Sequence, residues 1–404
     1  MSDGSEKIPA LTGVRYIAAL IVVGGHGASI MPPSMEQGIY AAWIEQGASV
    51  GMSLFFVLSG VVIWLNYAAM FNERDLASAC RLFLSARIAR LYPMYLFTIV
   101  LAIAVSGMSN FVAHQPWSIS VVLMVQSWFP GGGGRLAATS IDWAGHLWSV
   151  STEMFFYLSF PLIVPLLSRV RSTRRLIAVL AAVLILFAVL LPLSIRFSAI
   201  LTSGPLDIGG SGMMWLSYFS PYCRMFEFVT GCVVAALVLE LRGKLSMPPI
   251  IWTMSALLVL VASLVPWGVL ILAKLHPAHT VMLVCISRVT APAVFALLLL
   301  HICLAKTFLS WSLGSRLLVW GGESSYSIYL LHTFFIDNFR FHPGDNVFPG
   351  EFAYRLVIYI ALITMISWGT FVWIETPARR WLRRVLGGRK DEFVLQPVAR
   401  LESN

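Results

Sequence analysis

The chain has 404 residues, of which 58% are hydrophobic and only 12% are charged. Soluble proteins average about 25% charged residues, so this composition excludes a soluble globular protein of this size. The net charge of +9 is interpreted as lysines and arginines that set membrane topology, not as a nucleic-acid-binding surface. The five cysteines show no CxxC or CxxH spacing, so the sequence predicts neither a disulfide framework nor a metal site.

Apolar segments long enough to cross a membrane recur along the whole chain. A spanning helix needs about 20 mostly apolar residues. We predict ten such helices, at residues 13–30, 50–70, 90–107, 145–167, 175–193, 222–241, 251–273, 281–305, 318–336 and 353–374. The chain is therefore predicted to be an all-α polytopic membrane protein. We expect one membrane domain over residues 1–384 and a short polar cytoplasmic tail over residues 385–404.

The distribution of basic residues predicts the orientation of these helices. With the N-terminus inside, 21 of the 28 Lys and Arg residues fall on the cytoplasmic side. Cytoplasmic loops of membrane proteins carry such an excess. Because removing one early helix would reverse the side of every later loop, the distribution supports about ten helices with both termini in the cytoplasm.

The first predicted helix carries two ionisable residues, Arg15 and His26, eleven positions apart. Eleven residues make three helical turns, so both side chains lie near one face, about 16 Å apart along the axis. We expect Arg15 at the inner end and His26 towards the outer end. This spacing suits a long, thin donor whose anionic head pairs with Arg15 while its reactive end reaches His26. The alternative is a helix-packing histidine with an arginine that snorkels to the interface.

The fourth predicted helix carries a polar stripe. His146, Ser149 and Glu153 share one helix face, and Tyr157 continues it one turn later. A buried carboxylate at Glu153 could orient and charge-stabilise an imidazole, or act as a base itself. The alternative is a hydrogen-bond clamp between helices.

Basic and aromatic residues mark the predicted inner ends of two other helices. Arg87, Arg90 and Tyr92 enter the third helix from inside, as a phosphate-binding rim or as a positive-inside anchor with an aromatic belt. Glu375 and Arg379 end the last helix and are interpreted as an ion pair.

Two further pairs of polar residues lie in other predicted helices. Arg224 and Glu227 are three positions apart, so they either pair with each other or bind substrate. Tyr329 and His332 share the same spacing, and both could be structural.

Together these segments resemble the acyltransferase-3 family of membrane O-acyltransferases. The spacing of Arg15 and His26 matches that family's Arg-x10-His signature, and residues 49–60 are similar to its Gly-Val-Asp/Ser-Leu-Phe-Phe-Val-Leu-Ser-Gly segment. Later blocks match in the same order, at residues 87–95, 148–157, 224–231, 326–332 and 375–379. Ser53 is a departure, since the family often has an acidic residue there, and Met154 departs from the common Glu-Gln-Phe-Tyr run.

The resemblance implies an enzyme that moves an acyl group, most often acetyl, from cytoplasmic acyl-CoA to a hydroxyl. The implied acceptor is a cell-surface carbohydrate or glycolipid, such as lipopolysaccharide O-antigen or exopolysaccharide, and the implied location is a bacterial inner membrane, with lipid as its surroundings. His26 would be a general base or a transient acyl-accepting nucleophile, supported by Glu153. No bound cofactor is implied, because acyl-CoA is a substrate.

The residues expected to bind substrate are Arg15, Arg87, Arg90, Tyr92, His146, Ser149, Tyr157, Arg224 and His332. Two alternatives to the carbohydrate acceptor stay open. One is a small diffusible acceptor, such as a macrolide or a lipo-oligosaccharide. The other is a transporter or flippase, in which intramembrane His, Glu and Arg line a substrate or proton pathway.

Overall fold

The computed structural model describes residues 8–32, 39–109, 117–129, 142–202, 215–341 and 350–387. Within these ranges the chain forms fifteen α-helices and no strand. The helices are α1 (Pro9–His26), α2 (Ile39–Glu73), α3 (Leu76–Ser106), α4 (Trp117–Val122), α5 (Trp148–Leu167), α6 (Thr173–Thr202), α7 (Pro221–Leu241), α8 (Pro249–Ala262), α9 (Val265–Leu275), α10 (Thr280–Leu304), α11 (Phe308–Leu313), α12 (Arg316–Glu323), α13 (Ser325–Ile336), α14 (Glu351–Thr370) and α15 (Thr376–Gly387). Most of the predicted polar tail, residues 388–404, lies outside the described residues.

The predicted all-α polytopic membrane fold is confirmed. Among the described residues, nine helical segments are long and apolar enough to cross a membrane, and they coincide with nine of the ten predicted spans. The remaining predicted span, residues 318–336, is instead divided at Ser324 into α12 and α13. At 1.5 Å per residue, neither helix alone is long enough to span the bilayer.

Helix α3 begins earlier than its apolar run predicts. The side chain of Asp75 caps it by accepting a hydrogen bond from the backbone N–H of Ser78 at 2.9 Å. This bond lowers the pKa of Asp75, because the ionised carboxylate is the better acceptor. The helix therefore starts at Leu76 rather than near residue 90, which places Arg87 and Arg90 inside it rather than at its entrance.

The centre of the bundle is formed by α2, which packs along α1 on one side and α7 on the other. Two glycines set the approach of α2 to α7. A Cβ atom on Gly60 would lie 2.1 Å from the carbonyl oxygen of Phe228, and one on Gly231 would lie 2.0 Å from that of Val57. Small residues at such crossings let membrane helices pack backbone to backbone.

The helices α14 and α15 pack against other helices of the bundle. A π-helical turn, Phe371–Glu375, joins α14 to α15, and α15 packs against α3. Glu375 is buried at this turn. The C-terminal helix therefore lies beside the segment that carries Arg87 and Arg90.

Candidate active site

Three histidines that are far apart in the sequence meet in the structure, and we call them the histidine cluster. His26 is the last residue of α1, His332 lies on α13, and His146 lies on the 3-10 turn before α5. The Nδ1 atom of His26 lies 2.8 Å from the Nε2 atom of His332, and their rings stack with centroids 4.9 Å apart. The ring of His146 lies edge-on to that of His332, at 5.3 Å.

The hydrogen bonds of this cluster define which nitrogen carries each proton. The Nδ1 atom of His332 lies 2.6 Å from the carbonyl oxygen of Tyr329, and a carbonyl only accepts, so this nitrogen donates. His332 is fully buried, which favours the uncharged ring with a lone pair on Nε2. The Nδ1–H of His26 then donates to that lone pair. The Nε2 atom of His26 keeps its own lone pair, which suits a base or a nucleophile.

His146 has a different position in the cluster. Its Nε2 atom lies 3.0 Å from the carbonyl oxygen of Leu330, and its Nδ1 atom lies 3.2 Å from the hydroxyl of Thr333. Because both ring nitrogens contact α13, His146 ties the start of α5 to the helix that carries His332.

Glu153 does not contact the histidine cluster. One carboxylate oxygen accepts hydrogen bonds from the hydroxyl of Tyr157 at 2.6 Å and from that of Ser59 at 3.2 Å. The expectation that Glu153 orients His26 directly is therefore corrected, since the hydrogen-bond partner of His26 is His332. Glu153 lies one helical turn farther along α5 than Ser149, and Ser149 is the residue that meets α13.

A narrow cavity of about 90 Å³ connects most of the predicted site residues. Its polar lining consists of Arg15, Ser59, Arg87, Arg90, Ser149, Glu153, Tyr157, Ser325, Tyr326 and Tyr329. Ser149 and Tyr157 are eight residues apart on α5, so the cavity extends over about 12 Å of that helix.

One end of the cavity adjoins the histidine cluster. The hydroxyl of Ser149 donates to that of Tyr329 at 2.6 Å, and Tyr329 in turn donates to the carbonyl oxygen of His146 at 2.5 Å. The ring of Tyr329 lies 5.7 Å from that of His332. His26 itself is not part of the cavity wall, so Tyr329 stands between the cavity and the histidine pair.

The other end carries Arg15, Arg87 and Arg90, which we call the arginine cluster. Arg87 is only 6% exposed, donates a hydrogen bond to the hydroxyl of Tyr67, and stacks over that ring at 4.3 Å. Arg15 interacts electrostatically with both other arginines. None of the three forms an ion pair within the described part of the chain, and Glu153 offsets only part of their charge. The cluster therefore attracts an anion.

The two tyrosines on α13 are site residues to which we assigned no role from the sequence. Both Tyr326 and Tyr329 line the cavity. They are three positions apart and so share one helix face, and this spacing is the sequence feature that could have identified them as site residues. Tyr326 donates to the carbonyl oxygen of Leu91 at 3.0 Å. Tyr92, which we expected to bind substrate, lies off the cavity and contacts the carbonyl oxygen of Val122 at 3.5 Å.

Arg224 belongs to a second buried polar cluster. It pairs with Glu227 at 2.8 Å, which is one of the two alternatives left open by the sequence, and both side chains are at most 1% exposed. Ser53, which stands where the family often has an acidic residue, donates a hydrogen bond to the same carboxylate at 2.8 Å and so helps to hold Glu227 in place. Arg224 does not line the cavity, because the ring of Phe56 lies between them, 5.6 Å from the guanidinium carbon.

The described residues contain no group of His, Cys, Asp and Glu that could hold a metal ion. The polar groups of the site are the imidazoles, guanidinium groups, hydroxyls and carboxylate already named. Their arrangement places a basic nitrogen beyond Tyr329, next to one end of a narrow cavity, and a net positive charge at the other end.

Known proteins are similar to this chain over nearly its whole length. Residues 8–374 match the family model described as an acyltransferase domain. Acyltransferase MdmB of Streptomyces mycarofaciens is 29% identical over 403 residues, which cover 94% of this chain and 93% of MdmB. A Bacillus subtilis strain 168 protein provisionally named peptidoglycan O-acetyltransferase YrhL is 25% identical over 333 residues. That match covers 80% of this chain and 48% of YrhL, so the chain spans about half of YrhL. No solved structure matches the chain significantly.

Proposed function

The chain belongs to the acyltransferase-3 family, and from this premise we propose that it is a membrane O-acyltransferase that uses cytoplasmic acyl-CoA. The acyl group, acetyl in the first instance, would pass to a hydroxyl of a cell-surface carbohydrate such as lipopolysaccharide O-antigen or exopolysaccharide. The observation that carries the proposal is the narrow cavity between the arginine cluster and the histidine cluster.

The shape and charge of the cavity support acyl-CoA as the donor. Pockets that enclose a whole small ligand usually measure about 300–1,000 Å³, and this cavity measures about 90 Å³. It can admit a thin chain but not a nucleotide. A pantetheine arm is such a chain, and the phosphates at its other end match the arginines, which bind phosphate through several N–H groups at once.

The lone pair on Nε2 of His26 supports acyl transfer at the far end. As a general base, this nitrogen takes the proton of the acceptor hydroxyl while the hydroxyl oxygen attacks the thioester carbonyl carbon. The C–S bond then breaks, and the CoA thiolate takes the proton from the imidazolium. As a nucleophile, the same nitrogen would attack the thioester carbonyl carbon, and the C–S bond would break to release the CoA thiolate. The acceptor hydroxyl would then take the acyl group from the imidazole, and its proton would neutralise the thiolate. In both routes His332 holds the Nδ1–H of His26.

Tyr329 is the residue that the acyl end of the donor must pass. Its hydroxyl bonds to Ser149 and to the backbone of His146, and both it and Ser149 line the cavity. We infer that the thioester displaces the Ser149–Tyr329 hydrogen bond as it approaches His26. Glu153 stays near the arginine cluster, where its charge offsets part of theirs.

A carbohydrate acceptor is supported by one relative, since the provisional name of YrhL states peptidoglycan. The acceptor would approach His26 from the side opposite the arginine cluster. Because Arg15 would then lie towards the cytoplasm, we place both termini there and the protein in a bacterial inner membrane. The excess of Lys and Arg on that side supports this orientation.

Membranes that contain the protein test the proposal when they are supplied with radiolabelled acetyl-CoA. We would compare the wild type with His26→Ala, Arg15→Ala and His301→Ala at matched expression. His301 is a matched control because it is buried in α10 and bonds to Ser255 and Thr307 away from the cavity.

Label should reach a carbohydrate fraction with the wild type and the His301 variant and be lost with the other two. Unchanged labelling by His26→Ala would contradict the mechanism. No labelling by the wild type would contradict the donor or the acceptor. A labelled protein intermediate that disappears with His26→Ala would select the nucleophile route.

A further inference from the structure

The C-terminal helix α15 carries four arginines that divide into two pairs. Arg379 and Arg383 are partly buried, whereas Arg380 and Arg384 are exposed. Residues four positions apart share a helix face. One pair therefore faces the bundle, where α15 packs against α3, and the other pair faces away from it.

The inward pair lies beside the arginine cluster, which lines one end of the cavity. Arg379 interacts electrostatically with Arg90, and Arg383 interacts with Arg87 and Arg90. Arg383 also lies within electrostatic range of Tyr67, the ring on which Arg87 stacks. Four guanidinium groups from two helices therefore converge on one region.

The protein offsets these positive charges only in part. Glu375 is the acidic residue next to Arg379, but its carboxylate accepts a hydrogen bond from Ser327 at 2.8 Å, and no ion pair joins it to Arg379 in the described residues. The predicted Glu375–Arg379 ion pair is therefore wrong. In addition, the buried Nε atoms of Arg87 and Arg383 have no hydrogen-bond partner within the described chain.

Such an arrangement costs free energy unless an anion joins it. Like charges repel, and a buried donor without an acceptor loses the hydrogen bond that it would make to water in the unfolded chain. Tetrahedral phosphate groups offer several acceptor oxygens at once, so they can bridge guanidinium groups of different helices.

We propose that Arg379 and Arg383 of α15 join Arg87 and Arg90 of α3 in a binding site for a phosphate-rich anion at the mouth of the cavity. This inference rests on the proposed function for the identity of its ligand, which is the nucleotide end of acyl-CoA. Helix α15 is thus a part of the donor site. The phosphates that it binds hold the pantetheine arm of acyl-CoA in line with the cavity.

The outward pair belongs to a different environment. Arg380 and Arg384 are exposed beside Trp381 and Val385, whose exposed fractions are 63% and 60%. Exposed aromatic and aliphatic side chains mixed with arginines are typical of a helix face at a membrane surface. The two pairs therefore provide variants that lose the same charge from the same helix on opposite faces.

The experiment measures binding of adenosine 3′,5′-bisphosphate to the purified full-length chain by isothermal titration calorimetry. We would compare the wild type with the double variants Arg379→Gln/Arg383→Gln and Arg380→Gln/Arg384→Gln. The inward variant should bind at least tenfold more weakly, and the outward variant should stay within about twofold of the wild type. Equal losses in the two variants, or no loss in either, would overturn the proposal.

Two further arms separate the ligand sources and the underlying function. Titrations are repeated in nanodiscs of phosphatidylcholine with and without phosphatidylglycerol. Retained bisphosphate binding in both supports a nucleotide site, whereas loss of binding with phosphatidylglycerol would assign the site to a lipid headgroup and overturn the proposal. Binding needs no acyl transfer, so a wild type that binds the bisphosphate but transfers nothing contradicts the proposed function alone. A wild type that transfers acetyl groups while the inward variant keeps its KM for acetyl-CoA contradicts this inference alone.

Discussion

His26 and His332 form a stacked, hydrogen-bonded pair, with Nδ1 of His26 2.8 Å from Nε2 of His332 and ring centroids 4.9 Å apart. Only His332 of the two is fully buried, and its other ring nitrogen is held by the backbone of Tyr329. The pair therefore has one fixed member and one reactive member. We propose that His332 is a positioning residue that acts through His26.

Substitution of His332 tests this positioning role. His332→Ala removes the acceptor for the Nδ1–H of His26, so we expect kcat to fall by about 10–100-fold, the range typical of lost supporting contacts. The KM for acyl-CoA should change little, because the arginine cluster is untouched. His332→Gln offers an acceptor in its place and should restore part of kcat. Equal rates for the two variants, or a change confined to KM, would show that His332 is only structural.

Glu153 is predicted to contribute less to kcat than a direct partner of His26 would. Its carboxylate bonds to Ser59 and Tyr157, and it interacts with Arg15. Glu153→Gln should keep kcat within about tenfold of the wild type, whereas loss of a proton-transfer partner costs about 10²–10⁴-fold. Steady-state kinetics with acetyl-CoA measure this. A fall in kcat of more than 100-fold would contradict this prediction and support the catalytic role first expected for Glu153.

The buried Arg224–Glu227 pair is predicted to stabilise the fold. Glu227→Ala leaves a buried guanidinium unpaired, which should cost about 3–5 kcal/mol. The control is Glu240→Ala, which breaks the exposed pair with Lys244 and should cost at most about 1 kcal/mol. Thermal unfolding in detergent should show a clearly lower Tm for the first variant only. Equal Tm values would contradict the role of the pair.

The crossing of α2 and α7 should not tolerate a methyl group. Gly231→Ala places a Cβ 2.0 Å from the carbonyl oxygen of Val57, so the helices must separate, at a cost of about 1–3 kcal/mol. Gly268→Ala is the matched control, because a Cβ there meets no atom within 4 Å. The first variant should unfold at a lower temperature than the wild type, and the control at an equal or higher one. The reverse order would contradict the close approach.

The amino-acid sequence by itself determined the membrane class and nine of the ten spans. The length of an apolar run and the backbone's need for internal hydrogen bonds in lipid act locally, so the linear chain reveals them. The spacing of Arg15 and His26 is likewise a property of one helix, and so is that of Arg224 and Glu227, although this spacing left open whether the two pair or bind substrate. The helix cap at Asp75 is also a local signal. Because it was missed, the start of α3 was predicted too late, and Arg87 was placed at the entrance of the helix instead of inside it.

Only the tertiary structure decided which side chains meet. His26 and His332 are 306 positions apart, and Glu375 meets Ser327 rather than Arg379. These contacts depend on how the helices cross, and crossings depend on packing between surfaces of different helices that no local pattern encodes. For the same reason His26 bonds to His332 and not to Glu153, and α15 lies against α3.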